Sequence, residues 1–341
     1  MTKESVAARL KAMDRVKAVE RLWDGDATLW GKSGDAAEAV LRGLGWLDVP
    51  ASMVDHLPEI SDFAAGVRAA GFDTLLFSNA GGSIPAVELF RQMAASDQIA
   101  SALINDSEPA SVKAAAQELG DKRLHVLSSK LGTRQKVLGA LDALWKLDGD
   151  GSHYVAITDP GADLVELAEE RRFRRVFLNR RDVPGQYSIL SWFGLVPAAL
   201  LGVDVRRFLR SASAMATACR VSRAENNPGA VLGATLAKAA IEGQEIGLEC
   251  SLGLRAFGDW VARMATEAGL RVTPAAVPSD GRWLQLRISG ELALSWTVED
   301  PHDMGGECFR WQFATALVGA VLGLNAFDGS GGAGERTPGG W

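Results

Sequence analysis

Residues 73–83 read DTLLFSNAGGS: an apolar run, a glycine pair, then a hydroxyl residue. This pattern predicts a strand over Asp73–Ser78 and a turn at Gly81–Gly82. Ser83 then caps a helix with apolar positions at Val87, Leu89, Phe90 and Met93. The same unit recurs downstream. Ser101–Asn105 reads as a second strand, with a helix after Pro109, and Leu124–Ser128 as a third, with a helix over about 133–147. His153–Thr158 is a fourth, followed by Asp159-Pro160-Gly161 and another helix, and Arg174–Leu178 is a fifth. Short strands alternating with helices imply βαβ crossovers and a parallel sheet. Such a sheet carries helices on both faces and binds ligands beyond the carboxyl ends of its strands. The loops to examine follow Phe77, Ile104, Leu127, Ile157 and Leu178.

Before this block the chain reads as helical, with turns at Trp30–Asp35 and Val49–Pro50. Val6, Leu10, Met13, Val16 and Trp23 fall near helical spacing, predicting one amphipathic N-terminal helix. After the block come helices over about 205–218 and 230–242, a strand at Glu245–Cys250 and a helix over about 255–269. Strands at Val272–Val277, Leu284–Ser289 and Leu292–Val298 follow, the last two joined by a hairpin turn at Ser289-Gly290. A long apolar helix runs over about 306–324, and the tail GSGGAGERTPGGW is glycine-rich.

Composition excludes several classes. The 341 residues carry 36 Lys and Arg against 42 Asp and Glu, a net charge of −6. That balance lacks the basic stripe of a nucleic-acid binder. The longest apolar runs, Trp192–Val203 and Phe313–Leu324, are twelve residues each, short of the roughly 18–20 that span a bilayer. The N-terminus lacks a signal-peptide core. Cys219, Cys250 and Cys308 are far apart and odd in number, which suggests buried free thiols in a reducing cytoplasm. His56, His125, His153 and His302 show no metal-site spacing.

Two turns carry candidate chemistry. SNAGGSIP (Ser78–Pro85) and SSKLGTR (Ser128–Arg134) each end a strand, bear glycine and open a helix with a hydroxyl residue. Backbone N–H groups at helix starts bind anions, and glycine lets the backbone approach. Ser129, Lys130 and Arg134 add further donors. Either turn alone is also an ordinary βα connection with a good cap. No Lys-Ser/Thr pair follows the glycines of SNAGGSIP, so it is not a P-loop; no G-x-G-x-x-G follows a strand, so a dinucleotide oxidoreductase is a weak reading and no cofactor is expected.

The stretch Ile157–Val205 contains Thr158-Asp159-Pro160-Gly161, Val176–Asn179, Pro184-Gly185-Gln186-Tyr187-Ser188 and Phe193–Ala199. It resembles the phosphoglucose isomerase family, whose patterns there are a TDPGS turn, a VFLN strand, a G-G-R-Y-S loop and an F-G-L-V-P-A-A helix. LLFSNAGGSIPAVEL, INDSEP (Ile104–Pro109), SSKLGTR, NNPGAVLGATL (Asn226–Leu236) and GGECFRWQFATALVGAVLGLNAFD (Gly305–Asp328) extend the resemblance, in order, over about residues 60–330. The similarity is strongest to the compact isomerase module found fused to transaldolase.

The resemblance implies an α/β fold: two sugar-isomerase (SIS) domains, each a three-layer α/β/α sandwich with a parallel-rich sheet, plus flanking helices. The corresponding division is an N-terminal helical segment (1–60), a first SIS domain (61–203), a second (204–328) and the tail (329–341). It also implies a sugar phosphate as small-molecule ligand, a homodimer, no nucleic-acid or membrane partner, and isomerisation through a cis-enediolate. Gly82, Ser83, Ser129, Lys130 and Thr133 match the phosphate turns, with Leu131 and Arg134 standing where hydroxyl residues are usual. WVARMATEAG resembles the family's Q-x-x-x-E-S-x-G, making Glu267 the base and Arg263 its neighbour four residues upstream. A guanidinium there would hold Glu267 ionised, or form a surface i,i+4 pair. Gln186 replaces the arginine that stabilises the enediolate, with Arg180 and Arg181 in the same loop. Glu307 takes the place of the ring-opening histidine, as in the compact module, and is the residue a partner subunit would lend. The family's late lysine falls on Arg336 and its glutamine on Gly329. The alternative on the same scaffold is a catalytically impaired sugar-phosphate-binding or regulatory protein, since fold alone does not give function.

Overall fold

The computed structural model describes residues 5–79, 83–94, 99–104, 112, 114, 116, 122–130, 134–279 and 281–330. The chain divides into two compact units. One comprises Met53–Arg181 and Ser191–Val205; the other comprises Met1–Ser52, Asp182–Leu190 and Arg206–Trp341.

The first unit is built on a five-stranded parallel sheet, ordered β2-β1-β3-β4-β5. Its strands are β1 (Thr74–Asn79), β2 (Ala100–Ile104), β3 (Arg123–Ser129), β4 (Tyr154–Thr158) and β5 (Arg175–Leu178). β3 and β4 are buried at every position, because helices cover both faces of the sheet. On one face Leu76, Leu127, Tyr154 and Ala156 pack with Leu141 and Leu144 of the Arg134–Trp145 helix and Leu164 of the Asp163–Glu170 helix. On the other, Phe177 stacks on Trp192 of the Trp192–Leu200 helix and meets Phe63 of the Leu57–Ala69 helix edge-on, both at 5.1 Å.

The strand order decides where a ligand can sit. From β1 the chain winds outward to β2, then returns past β1 to β3. The helices therefore diverge between the carboxyl ends of β1 and β3, the usual ligand crevice of such a sheet. Those are the ends that feed the Ser83 turn and the Ser129–Lys130 turn. His153, read as the first residue of β4, instead closes a 3-10 turn, Gly151–His153. Asp148 Oδ2 lies 2.7 Å from its Nδ1, and Asp150 caps the turn through Ser152 N at 2.9 Å.

The second unit holds a mixed sheet, β7-β6-β8-β9. Here β6 (Ile246–Ser251) and β7 (Val272–Val277) are parallel, and β8 (Trp283–Ile288) runs antiparallel to both β6 and β9 (Glu291–Thr297). Ser289 and Gly290 both take positive φ, 49° and 85°, the geometry of a tight hairpin turn. The Arg255–Glu267 helix makes the crossover from β6 to β7 and buries Phe257, Trp260, Val261 and Met264.

The Met304–Leu322 helix of this unit is buried on nearly all sides. Two glycines at its start make that approach feasible. A Cβ on Gly305 would lie 2.0 Å from the Phe208 carbonyl oxygen, and one on Gly306 2.9 Å from Ser211 Oγ. The single N-terminal helix expected from sequence is two helices, Val6–Arg15 and Ala18–Trp23, broken where Lys17 takes φ 54°. The break brings Trp23 onto Phe309 and Phe313, at 6.0 and 5.9 Å between ring centroids. Its indole N–H donates to Cys219 O at 2.8 Å, and Arg220 lies over its ring at 3.8 Å. Cys219, Cys250 and Cys308 are free and buried. No helix among the described residues is long and apolar enough to cross a membrane.

Candidate active site

The parallel-sheet unit supplies the anion-binding candidates. Ser83 is the first residue of the Ser83–Met93 helix and Arg134 of the Arg134–Trp145 helix. Gly82, Leu131 and Thr133 lie outside the described residues, as do the side chains of Ser83 and Arg134. Ser129 ends β3; it is buried, and its Oγ donates to Lys130 O at 3.1 Å. Thr158, at the end of the neighbouring β4, donates from Oγ1 to Ser129 O at 2.6 Å. The ends of β3 and β4 are thus tied together beside the crevice.

Sequence reading made Lys130 a cationic donor. The structure pairs its Nζ with Asp159 Oδ2 at 2.6 Å and sets it 5.6 Å from the Phe193 ring centroid. Asp159 is 2% exposed. Burial pushes its carboxyl above the ordinary range, opposed by the bond and charge of Lys130, the charge of Arg181 and a bond from Asn179. Asp159 was legible in sequence only as a turn residue. Its electrostatic role follows from β3 lying next to β4, which places the residue after Thr158 beside the residue after Ser129. Arg181 donates to Pro160 O from Nε at 3.1 Å and from Nη2 at 2.5 Å, so it braces the β4 turn.

The mixed-sheet unit supplies the proton-transfer candidates. Gln186 is the centre of a 3-10 turn, Gly185–Tyr187. Tyr187 anchors that turn: its ring packs on Trp46 at 5.1 Å and Phe327 at 5.2 Å. Gln312 Nε2, fully buried, donates to Tyr187 O at 2.8 Å. Gln186 Oε1 is buried with no hydrogen-bond partner among the described residues. The turn packs on the Arg255–Glu267 helix, whose last residue is Glu267, 6% exposed. Burial, reinforced by the charge of Glu267, holds the Tyr187 hydroxyl firmly protonated. The fold therefore brings Gln186, Tyr187 and Glu267 into one neighbourhood.

Arg263 lies four residues before Glu267 on the same helix but is exposed while Glu267 is buried. Among the described residues no ion pair joins them. Glu307 sits in the first turn of the Met304–Leu322 helix, 6% exposed, with Oε1 3.3 Å from Arg310 Nη2. Burial raises its pKa above the ordinary value, with Arg310 and Trp296 opposing. Neither Arg310 nor Trp296 was singled out in sequence, although Glu307 and Arg310 stand at helical i,i+3 spacing. Gly329 lies at the end of the described chain, and Arg336 lies outside the described residues.

No family model matches the chain. Curated relatives do. It is 34% identical over 137 residues to a glucose-6-phosphate isomerase of Thermosynechococcus vestitus, covering 38% of this chain and 26% of that protein. It is 30% identical over 236 residues to a glucose-6-phosphate isomerase of Rippkaea orientalis, covering 61% and 44%. The chain thus spans less than half the length of these relatives. Among solved structures, a hypothetical protein of Thermus thermophilus superposes with a TM-score of 0.75 at 19% identity, over 92% of this chain and 93% of that one. A glucose-6-phosphate isomerase of Chlamydia trachomatis gives 0.71 at 14%, over 95% and 82%. Parts of the sequence are thus similar to glucose-6-phosphate isomerases, and the fold is similar to that of one.

Proposed function

We propose that the chain is an aldose–ketose isomerase acting on glucose 6-phosphate and fructose 6-phosphate, or on a closely related anionic sugar. The observation that carries this reading is the strand order, which sets β1 and β3, the strands that lead into the two hydroxyl-bearing stretches, on either side of the sheet's switch point. It is strengthened by relatives named for that reaction.

In this reading the Ser83 turn and the Ser129–Thr133 turn hold the phosphate through helix N–H groups and hydroxyls. Glu307 acts in ring opening, where the C1–O5 bond breaks as O5 gains a proton and the C1 hydroxyl loses one. Glu267 then takes the proton from C2 and returns it to C1, passing through a cis-enediolate. Gln186 donates its amide N–H to the enediolate oxygen. It brings no charge to that task, and loss of a comparable oxyanion donor costs about 10²- to 10³-fold. Turnover is accordingly slow. From the family resemblance the reading also carries a homodimer in the cytoplasm.

The second reading, a binding protein with impaired catalysis, draws on the neutral Gln186 and on the tethering of Lys130 by Asp159. Two assays on the full chain separate them. Conversion of fructose 6-phosphate to glucose 6-phosphate, followed through a coupled NADP-dependent dehydrogenase, supports the enzyme. A thermal shift with sugar phosphates without turnover supports the binding protein; a ligand at 100 times its Kd adds about 2.7 kcal/mol of stability. Neither turnover nor a shift contradicts both.

A further inference from the structure

Glu307 is an unusual carboxylate for a structural residue. Its side chain is only 8% exposed, lies on a helix, and among the described residues is held by a single ion pair 3.3 Å long. Its second oxygen, Oε2, has no hydrogen-bond partner among the described residues. A lone buried polar atom is costly, and this one belongs to a residue already read as a proton-transfer group. The nearby donors, Arg310 and Trp296, leave this oxygen without a hydrogen bond among the described residues. The Arg310 guanidinium lies over the Trp296 ring, 5.4 Å from its centroid. The Trp296 indole N–H, near the same carboxyl, forms no well-aligned hydrogen bond among the described residues. Trp296 and Arg310 in turn line a cleft of about 310 Å³, with Glu225, Asn226, Asn227 and Ser295 as its other polar walls.

We propose that Arg310, braced by stacking on Trp296, is a positioning residue: it fixes Oε1 of Glu307 and leaves Oε2 as the oxygen that exchanges a proton with the ligand. The proposal rests on the reading of Glu307 as a proton-transfer group of the isomerase. Arg310 does two things in this arrangement. It fixes the rotamer of the carboxyl, so that Oε2 keeps one direction. Its positive charge also opposes the desolvation that favours the neutral acid. The other groups that act on this carboxyl are few. Asp303, one helical turn earlier, favours the neutral acid. Burial, reinforced by the charge of Glu307, keeps the thiols of Cys219 and Cys308 protonated. Glu225 lines the adjoining cleft.

The test is a carboxyl titration in the full-length protein carrying ¹³C-glutamate, with the Glu307 signal assigned by its loss in Glu307→Gln. Arg310→Met should raise the Glu307 midpoint by about one pH unit or more, the scale of a lost opposite charge within 4–6 Å. Arg310→Lys should recover most of that shift. If the chain turns over fructose 6-phosphate, the acid limb of its kcat/KM profile should move in parallel. An Arg310 that merely stabilises the fold would lower the melting temperature without moving the midpoint, and that result overturns the proposal. Should Arg310→Met fail to fold, Arg310→Gln removes the charge while keeping a polar side chain. It should also raise the midpoint, and an unchanged value would again count against the proposal. The titration needs no turnover. An inactive chain with a shifted midpoint therefore refutes the isomerase reading alone, while an active chain with an unshifted midpoint refutes the positioning role alone.

Discussion

Replacing Lys130 with methionine removes the cation from a pair 2.6 Å long in which Asp159 has only 4% of its side chain exposed. Breaking a buried pair from one side costs about 3–5 kcal/mol, because the remaining charge is left without compensation. Lys130 keeps 22% of its side chain in solvent, so part of the cost is screened and about 2–3 kcal/mol is expected at pH 7. The loss has a definite pH dependence. Burial already pushes the Asp159 carboxyl up, and without Lys130 it rises further. A carboxyl whose folded pKa exceeds its unfolded value binds more protons when folded, so stability falls as pH rises through that range. The penalty of Lys130→Met should therefore be smaller at pH 5 than at pH 7. Hydrogen exchange of the β3 and β4 amides reads this locally, without assuming that the two units unfold together. The double variant Lys130→Met/Asp159→Leu should recover most of the loss, since an apolar pair of similar volume replaces a buried ion pair at little cost. A penalty below about 0.5 kcal/mol, or one equal at both pH values, would show that Asp159 does not depend on Lys130. Lys130 would then be available for a phosphate after all.

Three further outcomes follow from the same structure. Gly305→Ala forces a methyl group to within 2.0 Å of the Phe208 carbonyl oxygen; it should cost about 3 kcal/mol or more in urea denaturation, at the upper end of overpacking. Stability should fall on acidification below about pH 6.5, where His125 of an unfolded chain takes up a proton. Burial lowers the pKa of His125, and the His125 ring 3.6 Å away together with the bond to His153 holds the Asp148 carboxyl well below the usual range, so both groups bind fewer protons when folded. His125→Phe should flatten the decline in melting temperature between pH 7.5 and 5.5, and an unchanged decline would remove His125 from the account. Gln186→Arg should raise the isomerisation rate by roughly one to three orders of magnitude by restoring a charged donor at the enediolate, measured as kcat in the coupled assay.

The strands were legible because each is a short apolar run bounded by glycine, proline or polar residues. Thr74–Asn79 and Glu291–Thr297 lie within one residue of their sequence reading. The break at Lys17 was not legible. Val6 to Trp23 keeps helical spacing, and only the docking of Trp23 against Phe309 and Phe313 makes a left-handed residue worth its strain. Among the site residues, Glu267 and Glu307 could be named from motif, but not their surroundings. Tertiary burial separates Arg263 from Glu267 despite their i,i+4 spacing. Trp296 reaches Arg310 only through the hairpin that carries β9. The cluster of His125, Asp148 and His153 joins β3 to the loop before β4, and no local pattern records that adjacency.

The central claim is that Glu267 moves the proton between C2 and C1 of a sugar phosphate. Solvent-deuterium incorporation at C2 of glucose 6-phosphate, followed by proton NMR, reads that step directly, whether or not later steps limit turnover. The account predicts slow but measurable exchange in the unaltered chain, loss of that exchange in Glu267→Gln, and sugar-phosphate binding nearly unchanged in the variant. Exchange that persists in Glu267→Gln, or its absence from the unaltered chain with every sugar phosphate tested, would contradict it.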